Sequence, residues 1–356
     1  MSRHVLSACC LVLLAWALVL HLGCGGSGGG GTGTSGTGTS TGGSSGSATG
    51  ATGTGTTSGT GTTTGTGSGT TSGGTGSALP GPVVLVVEEN HGFTTVINPA
   101  NPPMPYLNSL AQQYGLATQY FANTHPSINN YFEMTAGSAN IAPPPDPDSF
   151  DGPVSADNIV RHLIAAGKTW KAYAETLPEV GYTGGNAGPY VHRHNPLSYF
   201  TDAVNNSAQR NNLVPFTQFA ADLNASALPN FTFVVPNINN DAHDCPVGMI
   251  ICLDSDKLMT ADNWLQTNVG PLLSSAQFKQ NGLLLIVFDE AEETDLIHGG
   301  GQVALVIVGP KVKTAFRSTT FYQHQDLLKM IATYIGIDAN IGDAAAASAM
   351  TEFFNP

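Results

Sequence analysis

The chain has 356 residues, with 12 Lys and Arg against 25 Asp and Glu, a formal charge of −13. That balance excludes nucleic acid and anionic membrane surfaces as electrostatic partners, because both repel a negative surface. It does not exclude a phosphorylated substrate, since bound cations reverse the sign locally.

Taken in chain order, Arg3 and His4 precede an apolar run from Leu11 to Leu20, with Cys24 shortly after. A short basic region followed by a short apolar one reads as an export signal, and the run falls short of the roughly 20 residues a membrane span needs. Residues 1–23 are expected to be a lipoprotein-type signal peptide, with lipidation of Cys24 after cleavage. The segment resembles a bacterial lipoprotein signal, with His21 where Leu is usual. Ordinary cleavage and an uncleaved anchor are the alternatives. Residues 24–78 are almost wholly Gly, Ser and Thr, without charge or large apolar side chains from Gly25 to Gly76. Such a tract cannot bury enough surface to offset its ordering entropy, so a disordered tether is expected, with a reach of roughly 40 Å. The chain is thus expected to be an exported cell-envelope lipoprotein whose only membrane attachment is its N-terminal lipid. Its oligomeric state is not legible.

Residues 79–356 are long enough for one domain with a substantial core. Without Arg3 this part carries eleven basic residues against twenty-five acidic, a balance of −14. Cys245 and Cys252 form a pair expected to close a short loop by a disulfide outside the cytoplasm.

Four runs read as buried strands: Val83–Val87, Phe231–Val235, Leu283–Phe288 and Val303–Val308. Each is apolar throughout, as in a parallel sheet covered on both faces. Helix-like stretches lie at Pro105–Tyr114, Ala156–Ala166, Phe216–Leu223, Asp262–Gln280 and Gln325–Ile335. The alternation predicts a three-layer α/β/α sandwich with a mostly parallel central sheet.

Ligands of such sheets bind beyond the carboxyl ends of the strands. There the first strand delivers Glu88, Glu89, Asn90 and His91. The second delivers Asn240, Asp241, His243 and Asp244, and the third Asp289 and Glu290, with His298 further on. Adjacent carboxylates need cations or protons to coexist. Ser127 sits where a helix opens, so it is either a cap or a hydroxyl held near an anion-binding helix start.

The runs Val87-Glu88-Glu89-Asn90-His91, His125-Pro126-Ser127 with Asn130-Tyr131, His194-Asn195-Pro196, Asn240-Asp241-Ala242-His243-Asp244 and Phe288-Asp289-Glu290-Ala291 occur in that order, followed by His324. This ordered set resembles the bacterial phosphoesterase family of acid phosphatases and phospholipases C, within the alkaline-phosphatase-like group. The resemblance implies that Glu89, Asn90, Asp289 and Glu290 hold metal and that Ser127 is the nucleophile. It implies that Asn130 contacts phosphate and that His125, His194, His243, Asp241 and Asp244 line the site. Asn129 stands where many relatives have Pro. His324 either orients a ligand or caps the last helix.

The oxygen donors suit Mg²⁺, Ca²⁺ or Mn²⁺, and a histidine ligand opens the site to Zn²⁺ or Fe. The leading expectation is metal-dependent hydrolysis of a small phosphate ester through a phosphoserine on Ser127, with His243 protonating the leaving group. A phospholipase C acting on a lipid headgroup phosphodiester is the alternative. A non-catalytic surface binding protein on the same fold is the reading from another class.

Overall fold

The all-apolar run at Val83 becomes the central strand of a computed structural model that describes residues 81–98 and 100–356. The expected signal peptide, the expected lipid site Cys24 and the Gly/Ser/Thr tract lie outside the described residues. Ten strands are present in the described part: β1 (Val83–Glu88), β2 (Gly115–Ala117), β3 (Tyr120–Phe121), β4 (Trp170–Ala174), β5 (Leu213–Pro215), β6 (Phe231–Val235), β7 (Leu283–Phe288), β8 (Leu305–Val308), β9 (Phe316–Ser318) and β10 (Tyr322–Gln323). Eight of them form one sheet in the order β5-β4-β6-β1-β7-β8-β2-β9, and β3 pairs with β10 in a small second sheet.

β1 lies between β6 and β7 and is parallel to both, with Val83 level with Phe231 and Leu283. Every residue of β1, β6 and β7 is buried. That explains their unbroken apolar sequences, since both faces of these strands are covered. Helices complete a three-layer α/β/α arrangement: Pro105–Gln113 packs against Asp254–Trp264, and Ser127–Ala136 against His324–Ile335.

Three expectations about elements are corrected. The run read as Val303–Val308 is β8 from Leu305, and it runs antiparallel to both β7 and β2. The sheet as a whole is mostly parallel, as expected. The helix read as Ala156–Ala166 spans Ile159–Ala165, because the Asn158 side chain caps it by accepting the Arg161 N–H at 3.1 Å. The stretch Asp262–Gln280 is not one helix. A helix at Asp254–Trp264 begins where the Asp256 carboxylate accepts the Leu253 N–H at 2.9 Å. It passes into a π turn at Leu265–Val269 and a 3₁₀ turn at Gly270–Ser274. Pro271 has no N–H to continue the ladder, and Ser275 caps a new helix at Ala276–Asn281.

Candidate active site

Three loops leave the carboxyl ends of β1, β6 and β7 at one edge of the sheet and meet the start of the Ser127–Ala136 helix. Ser127 is the first helical residue, the capping position is Pro126, which has no side-chain acceptor, and the Ser127 hydroxyl caps no helix N–H. The cap reading of Ser127 is thereby excluded. Its Oγ is 3.1 Å from Glu89 Oε2 and 3.4 Å from Glu290 Oε1. A hydroxyl has one proton, so it donates to only one of the two carboxylates.

Glu89, Asp289 and Glu290 are buried, at 0%, 0% and 3% exposure. Burial pushes the Asp289 carboxyl well up, and repulsion from Glu89 and Glu290 adds to it. Burial also raises Glu89 and Glu290, opposed by His194 and His125 respectively. Asn90 is a non-glycine residue with φ of 58°, a left-handed conformation in which its N–H donates to Asp289 Oδ1 at 3.1 Å. Asp289 Oδ2 has no hydrogen-bond partner among the described residues. Buried oxygen donors, mutual repulsion and an unpartnered carboxylate oxygen fit a hard divalent cation. Among the described residues no three His, Cys, Asp or Glu side chains yet close to ligand spacing. Ser127 contacts Glu89 and Glu290, Tyr131 donates to Glu89, and Asn130 donates to Glu290.

Asn130 is more committed than its expected phosphate contact allows. Its Oδ1 accepts from the N–H groups of Asn123 and Thr124, and its Nδ2 donates to Thr124 O and to Glu290 Oε2. The amide pins the His125 loop and one carboxylate. His125 Nδ1 lies 3.3 Å from Glu290 Oε2, and its Nε2 is 3.0 Å from the Asp295 carbonyl oxygen. A carbonyl only accepts, so Nε2 carries a proton, and Nδ1 faces a carboxylate. The Glu290 partner is the main reason the imidazole stays protonated above its ordinary range.

On the other side, His194 bridges two carboxylates, with Nε2 3.3 Å from Glu89 Oε1 and Nδ1 3.1 Å from Asp241 Oδ2. Burial lowers His194 to about 4 and raises Asp241 to about 7. The ring stacks on Tyr131 with centroids 5.5 Å apart. His243 lies next, its ring 5.9 Å from that of His194. Its Nδ1 is 2.8 Å from Asp244 Oδ1 and its Nε2 3.3 Å from Arg193 Nη2. Arg193 only donates, so in this contact Nε2 accepts and the ring is the neutral Nδ1–H tautomer. That geometry leaves His243 no proton at Nε2 to deliver, which counts against the acid role expected for it. Asp244 is exposed and orients His243.

Asp148 is a neighbour of the site that motif reading missed, Tyr131 stood in the Ser127 motif without a role, and Arg193 was open between a phosphate contact and a solvated loop. Asp148 accepts the Ile128 N–H at 3.3 Å, at the start of the Ser127 helix, and its other oxygen is 3.3 Å from Arg193 Nε. Nothing local marks Asp148, which lies in a Pro- and Asp-rich loop; Tyr131 was legible as a phenol one helical turn after Ser127. His324 resolves towards positioning. Its Nε2 is 2.7 Å from the Asp289 carbonyl and its Nδ1 2.8 Å from the Tyr120 hydroxyl, while Asp326 accepts the N–H of Gln323 to cap the helix. Burial lowers His324 to about 4, so it stays neutral and holds the Asp289 turn. His298 packs between Phe121 and Phe321, with centroids 4.5 and 4.8 Å away. The glycines after it are required: a Cβ on Gly299 would lie 1.9 Å from the Asn123 carbonyl oxygen, and one on Gly300 2.4 Å from that of Thr124. Cys245 and Cys252 stand at disulfide distance, with Cα atoms 5.6 Å apart.

The fold is similar to that of solved proteins of the alkaline phosphatase superfamily. A superfamily protein from Vibrio parahaemolyticus aligns with a TM-score of 0.50 at 16% identity, covering 75% of this chain and 70% of that one. The lipoteichoic acid synthase LtaP from Listeria monocytogenes aligns at 0.53 and 10% identity, covering 74% of each chain. These likenesses concern the fold alone. The chain belongs to the phosphoesterase family, whose model matches residues 88–338. It is 32% identical over 233 residues to a probable acid phosphatase from Kluyveromyces lactis, covering 63% of this chain and 52% of that protein. It is 31% identical over 268 residues to a phosphatidylinositol-3-phosphatase from Mycobacterium tuberculosis, covering 73% of this chain and 79% of that protein. The match thus spans about half the length of the yeast relative and most of the mycobacterial one.

Proposed function

We propose that this chain hydrolyses phosphate esters by attack of the Ser127 hydroxyl on phosphorus. The observation that carries the reading is Ser127 Oγ lying within 3.4 Å of both Glu89 and Glu290 at the first position of a helix. Membership of the phosphoesterase family and the acid phosphatases among its relatives support it. Glu89, Asn90, Asp289 and Glu290 would hold a divalent cation, which neutralises phosphoryl charge and lowers the pKa of a bound hydroxyl.

The Ser127 proton passes to Glu89, the nearer carboxylate. The Oγ–P bond forms as the bond from phosphorus to the leaving oxygen breaks, giving a phosphoserine, and water then releases phosphate. His125 replaces His243 as the group that protonates the leaving oxygen. Its ring contacts Glu290, which itself reaches Ser127, and both ring nitrogens face acceptors. Asn130 and Asp148 fix the helix start, and His194 with Asp241 steadies Glu89.

The test is phosphate release from a soluble aryl phosphate by the purified full chain, with metal content measured beside it. Bound divalent metal is expected, and Ser127→Ala should lose at least about a hundredfold in turnover, about 2.7 kcal/mol in the barrier. Unchanged turnover in that variant removes Ser127 from the mechanism. Free phosphate as product supports a monoesterase, and a phosphorylated alcohol headgroup as product supports a phospholipase C.

A further inference from the structure

We propose that the Cys245–Cys252 loop inserts its apolar tip into a zwitterionic lipid bilayer and so presents the candidate active site to a membrane-borne phosphate ester. Only the last clause rests on the hydrolase reading; the docking stands on the surface itself. Within seven positions, Val247 is 85% exposed, Met249 44%, Ile250 97%, Ile251 86% and Leu253 70%. Scattered apolar residues are ordinary on protein surfaces, but a contiguous set marks an interaction surface. No charged side chain occurs between Asp244 and Asp254. The two sulfurs close the loop, so little chain entropy is lost when its tip is held in another phase.

The loop begins directly after His243 and Asp244, at the carboxyl end of β6. A second exposed pair, Leu296 and Ile297, follows Asp295, whose carbonyl holds His125, and this segment leaves the carboxyl end of β7. β6 and β7 flank β1 and both run parallel to it, so the two apolar segments rise from the same edge of the sheet as the site. A membrane suits that arrangement, because greasy tips on either side of a polar cleft seat it against the headgroup layer. The eighty residues ahead of the described domain include the signal-like run and Cys24, whose sequence reading tethers the domain to a membrane. With eleven basic residues against twenty-five acidic, the domain is repelled by anionic lipid, which selects a zwitterionic surface.

The test uses the full chain carrying Ile250→Trp and vesicles of phosphatidylcholine, with the unsubstituted chain as reference. Its added emission should move to shorter wavelength on mixing and be quenched by brominated phosphatidylcholine. Unchanged emission with vesicles overturns the proposal. A shift without vesicles that grows with protein concentration also overturns it, because the patch then meets a second copy of the chain. Separately, Ile250→Ser with Ile251→Ser should slow hydrolysis of a phosphate ester carried in those vesicles by at least about tenfold. The rate on a soluble aryl phosphate should be unchanged. Equal rates of the variant and the parent on both substrates overturn the proposal. Absence of any hydrolysis would instead refute the reading of the site, and the emission would still decide the docking.

Discussion

Asp262 and Asp289 are both buried aspartates, at 1% and 0% exposure, yet the fold treats them oppositely. Asp262 accepts the N–H groups of Tyr106 and Leu107, each at 2.8 Å, and so completes the first turn of the Pro105–Gln113 helix. Asp289 accepts a single N–H, leaves one oxygen unpartnered and faces Glu89 and Glu290. A third acid, Asp222, is met by Lys171 and the Tyr173 hydroxyl at 2.6 Å each. Burying charge is costly unless it is paired or hydrogen-bonded. Asp262 and Asp222 are compensated within the protein, whereas the Glu89–Asp289–Glu290 set is compensated only in part: Glu89 and Glu290 meet donors, but Asp289 keeps an unpartnered oxygen and the three repel one another. A cluster that destabilises its own fold is a place where function outweighs stability.

The sharpest probe of the reactive side of this contrast is His125→Asn. It should lower turnover of alkyl phosphates by about a hundredfold, the lower end for removal of a general acid. Aryl phosphates, whose leaving groups need no proton, should be affected much less. Equal losses on both substrates would reduce His125 to a structural part. Next comes Asp289→Asn. It should weaken divalent-cation binding at least about tenfold, as read by calorimetry, since even indirect ligand partners cost that much. The metal-free variant should melt higher than the metal-free parent, by about 1 kcal/mol of stability at neutral pH, because the cost of protonating that buried carboxyl on folding is gone. A lower melting point would place Asp289 among the compensated acids.

The opposite sign is expected for Asp262→Ala, which should cost about 1–2 kcal/mol in chemical denaturation by stripping two backbone donors of their acceptor. The smallest effect concerns Glu133, a buried carboxyl in the Ser127 helix that burial, then Asp343, raises to about 7. The folded state holds a proton there that the unfolded chain releases near 4.5. Stability is therefore full below that value and falls as pH rises through about 7. Glu133→Gln should remove on the order of 1 kcal/mol of this loss between pH 5 and 6.5, measured by denaturant titration at each pH. An identical pH slope in the two proteins would refute it.

Much of the candidate site was legible because the signal was local. Glu89, Asn90, Asp289 and Glu290 all lie within three residues of the end of an all-apolar run, and a strand's carboxyl end is where an α/β sheet presents its ligand groups. Ser127 was visible at a helix start, although sequence alone left it between cap and nucleophile. The ring partners of His125 and His243 were not legible, because they are the Asp295 carbonyl and the Arg193 guanidinium. Those partners are 170 and 50 residues away.

By itself the sequence determined the strands at the centre of the sheet and the acids at its edge. Apolar runs and the residues that end them are properties of neighbouring positions. Tertiary structure alone decided that β8 runs against β7, that Asn130 is tied to Glu290, and that Gly299 and Gly300 let the Ser127 loop lie against them. It also decided which buried acids are compensated and which are not. Each of these is set by groups far apart in the chain, whose distance and dielectric surroundings exist only once the domain has closed.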